Sequence, residues 1–209
     1  MSEPSVKELY CRYKVPDNIR RHMHSTEKVA TYLARKLKRK GEKINLRLVK
    51  RAALLHDLFR IVDIRAEGYR KLLQAYPNSK KVWEDIRNKA EGIRHEEFAY
   101  LYFKDSEPEL AKIIKSHAYG IPPSDKEGNW EEKLVKYADK CVMHDLIVPM
   151  KVRLEEGHRR YNHNRKSALD MDNQYKALEN EIFRKAGINS LPKHLLSASF
   201  KNRARKRAG

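Results

Sequence analysis

An all-α fold is predicted by three observations on this chain of 209 residues. Apolar residues recur three and four apart almost throughout, no segment alternates apolar and polar residues as a half-buried strand does, and breakers punctuate the periodic stretches. The chain is long enough for one well-buried domain plus an extension, and too short for two full cores. No internal repeat is visible.

The elements follow in order. Residues 18 to 40 form a first long helix stopped near Gly41, and Asn45 is placed to cap a second helix from Leu46 to about Phe59. A segment around Tyr69 to Ala75 leads to the turn "YPNS", then to helical "KKVWEDIRNKAEGI", "RHEEFAYLYF" and "PELAKIIKSHAY", the last introduced by Ser106 and Pro108. After the loop "YGIPPSDKEGN", Asn129 with Glu132 has the form of a capping box opening "WEEKLVKYADKCVMHDLIV". Beyond Pro149 come a basic helical stretch to about Arg165 and a last amphipathic helix from Asn173 to Lys185.

Composition narrows the partners. The formal charge of +18 speaks for an anionic partner. The last 59 residues hold 15 Lys and Arg against 6 Asp and Glu, half of that excess, ending in "KNRARKRAG". Such a tail is usually a solvated terminus; its alternative role is contact with nucleic acid. No apolar run is long enough for a bilayer, and "MSEPSVKELYCRYK" lacks the apolar core of a secretory signal, so no membrane partner and a cytoplasmic location are expected. Cys11 and Cys141 form no close-spaced pair and are expected to be thiols used in packing.

The stretch "LVKRAALLHDLFR" places His56 and Asp57 together after an apolar run. Burying an ionised carboxylate without partners costs several kcal/mol, so the pair requires hydrogen bonds, an ion pair or a metal. Helical phase identifies further inward-facing groups. His56 lies four after Ala52, His95 four before Ala99, His117 seven after Leu110, and Asp139 four after Val135. In the first helix His22 shares a face with Thr26, Val29, Leu33 and Leu37, whereas His24 lines up with Lys28, Thr31 and Arg35. His22 is therefore the inward residue; His24 replaces it if the start of the helix rotates the phase. A second "HD", His144 and Asp145, has no apolar run ahead of it and reads as a surface pair. His158, His163 and His194 read as surface histidines.

His22, the His56–Asp57 pair, His95, His117 and the "YADK" aspartate Asp139 resemble the H...HD...H...H...D pattern of the HD superfamily of metal-dependent phosphohydrolases. The ordered set carries the resemblance, which covers Val15 to Tyr161 and includes the approach "VPDNIRRH" to His22. It implies a helical bundle over 15–165, followed by a C-terminal helix and basic tail over 166–209. It also implies those six residues as ligands to divalent cations, two rather than one because His95 and His117 are present, with Asp57 bridging. Imidazole and carboxylate without thiolate suit Fe, Mn, Co, Ni or Zn. Two such cations would activate a hydroxide for attack on a phosphate ester or anhydride, most naturally that of a nucleotide. Many dinuclear relatives carry a lysine three residues after the HD aspartate; here Arg60 stands there, able to grip phosphate through two N–H groups or to pair with Asp63. Arg153, Arg159, Arg160, Tyr161 and, more weakly, Lys140 are further candidates around the substrate, with Arg153 and Arg160 on one helical face. Two other functions compete: an RNA-directed phosphodiesterase or RNA-binding protein, and a noncatalytic module that metal merely holds together.

Overall fold

The computed structural model describes residues 3–118, 129–161 and 165–198, without the side chains of 160–161 and 165–168. It is an α-helical bundle. A short α1 (Val6–Arg12), opened by a capping box between Ser5 and Glu8, precedes the central α2 (Asp17–Arg39). Then follow α3 (Leu46–Leu55), α4 (Ala66–Ala75), α5 (Lys80–Ala90), α6 (His95–Phe103), α7 (Pro108–Ser116), α8 (Trp130–Asp139), α9 (Met150–Tyr161) and α10 (Arg165–Ala186). The predicted all-α class holds.

Why α2 sits at the centre follows from its sequence. It buries Ile19, Met23, Val29, Ala30, Leu33, Ala34 and Leu37 on a continuous face that packs against α3 and α8. Beyond Lys40, Gly41 takes a φ of 93°, a left-handed conformation that costs glycine nothing and ends the helix. Asn45 caps α3 by accepting from the Leu48 N–H, and its own N–H donates to Glu131 at the start of α8. From the C-terminal region, Tyr175, Leu178, Ile182 and Ala186 of α10 join the same apolar core.

Several boundaries differ from the sequence reading. The second helix stops at Leu55, so His56 and Asp57 stand in the turn just past its end. The last helix runs from Arg165 and not from Asn173. "WEEKLVKYADKCVMHDLIV" is not one helix: α8 ends at Asp139, and the remainder forms a small antiparallel hairpin, β1 (Val142–Met143) and β2 (Leu146–Ile147), with Val142 opposite Ile147. The apolar positions 142, 143, 146 and 147 satisfy a helical period as well as a two-residue hairpin, so the pattern alone was ambiguous. His144 makes the turn with a φ of 59°. Between α3 and α4 a 3₁₀ turn, Arg60–Asp63, is held by the Arg87 guanidinium, which donates to the carbonyls of Ile61, Val62 and Ile64. No helix among the described residues is long and apolar enough to cross a membrane.

Candidate metal centre

Six side chains from five places in the chain meet at one end of the bundle. His22 comes from the first turns of α2, His56 and Asp57 from the turn after α3, His95 from the first residue of α6, His117 from the C-cap of α7 and Asp139 from the last residue of α8. Four of the five contributions sit at helix ends, where the chain turns and a side chain can point along the bundle. His24, by contrast, is exposed and lies edge-on to Tyr10.

The hydrogen bonds of the histidines determine what their other nitrogens present. His22 Nδ1 donates to the His144 carbonyl at 2.7 Å and His56 Nδ1 to the Ala53 carbonyl at 2.8 Å. His117 Nδ1 donates to the Ile114 carbonyl, and His95 Nδ1 to the Asp63 carboxylate. With the proton on Nδ1, a neutral ring offers only a lone pair at Nε2. Yet the Nε2 atoms face one another, at 3.3 Å between His22 and His56 and at 3.3 Å between His95 and His117. Two lone pairs so placed repel, and a cation, either a proton or a metal ion, has to lie between them. Outer hydrogen bonds that fix the tautomer and aim Nε2 are the usual support of metal-ligating histidines.

The carboxylates divide the centre into two sets. Asp139 Oδ1 lies 3.0 Å from His22 Nε2 and 3.7 Å from His56 Nε2. Asp57 reaches both sets: its Oδ1 is 2.9 Å from His95 Nε2 and 3.6 Å from His117 Nε2, while its Oδ2 is 3.9 Å from His22 Nε2. The donors fall into clusters His22–His56–Asp139, His56–Asp57–His117 and His95–Glu96–His117, each compact enough for one ion.

Electrostatics favour that use. Burial alone would raise the pKa of Asp57, but His56, His117 and His95 hold its carboxyl well below the usual range. The same burial works on Asp139, which Lys140 and His22 hold low. Both are anions at neutral pH. Burial pushes His117 down to about 4, so it is a neutral donor there. In His22 and His95 burial is outweighed by the carboxylates they touch, Asp139 and Asp57, and their pKa values rise.

Above the centre opens a cavity of about 880 Å³, within the usual range for a small-molecule site. Arg60, Arg65, Arg94 and Arg153 line it. Arg60 is ion-paired with Asp63 at 3.1 Å, the alternative its sequence position left open, while still lining the cavity. Lys140 is buried and its Nζ lies 2.6 Å from Asp139 Oδ2, so it neutralises a candidate ligand. Arg153 donates from Nε to the Val142 carbonyl and from Nη1 to Glu156. The side chains of Arg160 and Tyr161 and the basic tail lie outside the described residues, and Arg159 is exposed.

Some participants escaped the sequence reading. Asp63 accepts from both the backbone N–H and Nδ1 of His95, and Glu96 is buried with its carboxylate 3.2 Å from the same Nδ1. The surface pair His144–Asp145 contributes through its backbone: the His144 carbonyl holds His22, and the Asp145 carbonyl accepts from Ser25. His158 is half-buried, not a surface residue; it lines the cavity and pairs with Asp172 at 2.8 Å.

Residues 19–144 match the HD domain family, a span that includes all six residues of the centre, and the chain belongs to that family. No curated protein and no solved structure matches the chain.

Proposed function

We propose that this protein is a metal-dependent phosphohydrolase that cleaves a phosphate ester or anhydride, with a nucleotide as the substrate class. The observation that carries the reading is Asp57, whose two oxygens face two separate sets of histidine Nε2 atoms. His22, His56 and Asp139 would hold one divalent cation and His95 and His117 a second, with Asp57 between them. When bound, such a pair supplies Lewis acidity toward a phosphoryl oxygen and toward a water.

The chain's own groups do the rest. Asp63 and the carbonyls of His144, Ala53 and Ile114 aim the imidazoles. Arg60 and Arg153 turn positive groups toward the cavity where a phosphate would lie, and a guanidinium can grip such a group with two parallel N–H bonds. The cavity is large enough for a nucleotide.

A hydrolysis screen tests this. Nucleotides and a generic phosphodiester are incubated with protein loaded with Mn, Co, Ni, Fe or Zn, while metal content and melting are followed on the same samples. Bound transition metal, a lower melting temperature after chelation, and turnover with at least one metal are expected. Trace metal with melting unchanged by chelator overturns the site; bound metal without turnover on any substrate leaves a noncatalytic metal-stabilised module.

A further inference from the structure

The outward face of α2 concentrates charge in a different way. Lys28, Tyr32 and Lys36 lie four apart, and Arg35 and Arg39 stand three and seven after Tyr32, so the five share one side of the helix. They line a groove of about 370 Å³ that His194, from the segment after α10, closes on its far side. At about 100° per residue this side lies roughly a quarter turn round the helix from His22, so the groove and the metal centre face different directions.

The groove's cations differ from many others on the helices. Lys71, Lys133, Lys176 and Lys185 are each within 2.8 Å of a glutamate. Among the described residues no carboxylate comes within ion-pairing distance of Lys28, Arg35, Lys36 or Arg39. Lys36 instead lies over the Tyr32 ring, 5.8 Å from its centre. Glu27, the acidic residue of the lining, accepts from the Thr31 hydroxyl at 2.9 Å. Four cations against one carboxylate leave a strongly positive trough.

Two rings occupy the trough as well. Tyr32 and His194 meet edge to face with centroids 6.1 Å apart. Unneutralised cations beside aromatic rings are what a single strand of nucleic acid uses, phosphates on the charges and bases on the rings. A membrane surface would call for exposed apolar side chains beside the cations. Here the apolar residue of the lining, Leu195, is half-buried.

We propose that this groove binds single-stranded nucleic acid, at a site separate from the metal centre. The test is fluorescence anisotropy of the full chain with a labelled 15-nucleotide single-stranded RNA across a salt series. Four neutralised phosphates give a slope of log affinity on log salt near about −3. The pair Arg35→Glu and Arg39→Glu should lower affinity at least about tenfold and flatten the slope by about 1.4 or more, with metal-dependent hydrolysis of a generic phosphodiester unchanged. Should charge reversal disturb folding, the pair Arg35→Gln and Arg39→Gln gives the same direction. Tyr32→Leu should weaken binding about fivefold or more at an unchanged slope, because it removes stacking and no charge. Absence of RNA binding at low salt overturns the proposal. So does RNA binding untouched by both pairs, which would put the contact elsewhere, as does capture of anionic phospholipid vesicles without capture of RNA.

Discussion

The two halves of the candidate metal centre use the same donor types and are braced in opposite ways. In the half built from His22, His56 and Asp139, the imidazoles are aimed by main-chain carbonyls, and the buried Lys140 neutralises the carboxylate. In the half built from His95, His117 and Asp57, His117 is also held by a carbonyl, but His95 is gripped by the Asp63 side chain, with Glu96 beside it and Arg60 balancing the charge. Backbone braces belong to the fold and survive single substitutions. A side-chain brace can be removed without touching a helix. The second half is thus the one that a point change can detune, and it is also the half into which the cavity's Arg60 is wired.

Substitutions should break this contrast in a definite order. Asp57→Ala strikes both halves at once, removing the carboxylate whose two oxygens face them, and turnover should fall by at least about a thousandfold with both ions lost or weakened. An Asp57→Ala protein with full metal and full activity would leave the buried pair a purely structural role. His22→Ala strikes the first half alone and should cost one equivalent of metal and most of the activity, while His24→Ala, on the exposed face, should keep both near wild type. The reverse ranking in parallel metal analyses would reject the site geometry.

Smaller effects follow at the side-chain brace. Asp63→Ala should weaken metal in the second half by about 10- to 100-fold while the first half keeps its ion, since the change lies outside the ligands. Isothermal titration of chelated protein resolves this as loss of one of two binding events; two unchanged events would mean that Asp63 only pairs with Arg60. Arg60→Ala should leave both ions bound and cost roughly 1 to 3 kcal/mol in kcat/KM, the value of a charge-assisted hydrogen bond.

The same contrast explains what could be read from the sequence. Helical phase placed His22, His56, His95, His117 and Asp139 on inward faces, because a buried polar residue betrays itself by its apolar neighbours at three, four and seven. All six residues of the H...HD...H...H...D pattern do come together. The braces carry no such mark. Asp63 meets His95 across 32 positions of sequence, through a 3₁₀ turn that is fixed by Arg87 of another helix. Glu96 sits among charged residues in "RHEE", where nothing distinguishes a buried carboxylate from a solvated one. The hairpin was hidden for a different reason, since its four apolar residues fit two periods equally. Yet that hairpin supplies the His144 carbonyl on which His22 rests.

The central claim is that Asp57 stands between two cations. Anomalous diffraction from crystals of the manganese-loaded protein tests it most directly. Two peaks are predicted, one on the His22–His56–Asp139 side of Asp57 and one on the His95–His117 side. A single peak touching only one Asp57 oxygen, or none at Asp57, would contradict the account.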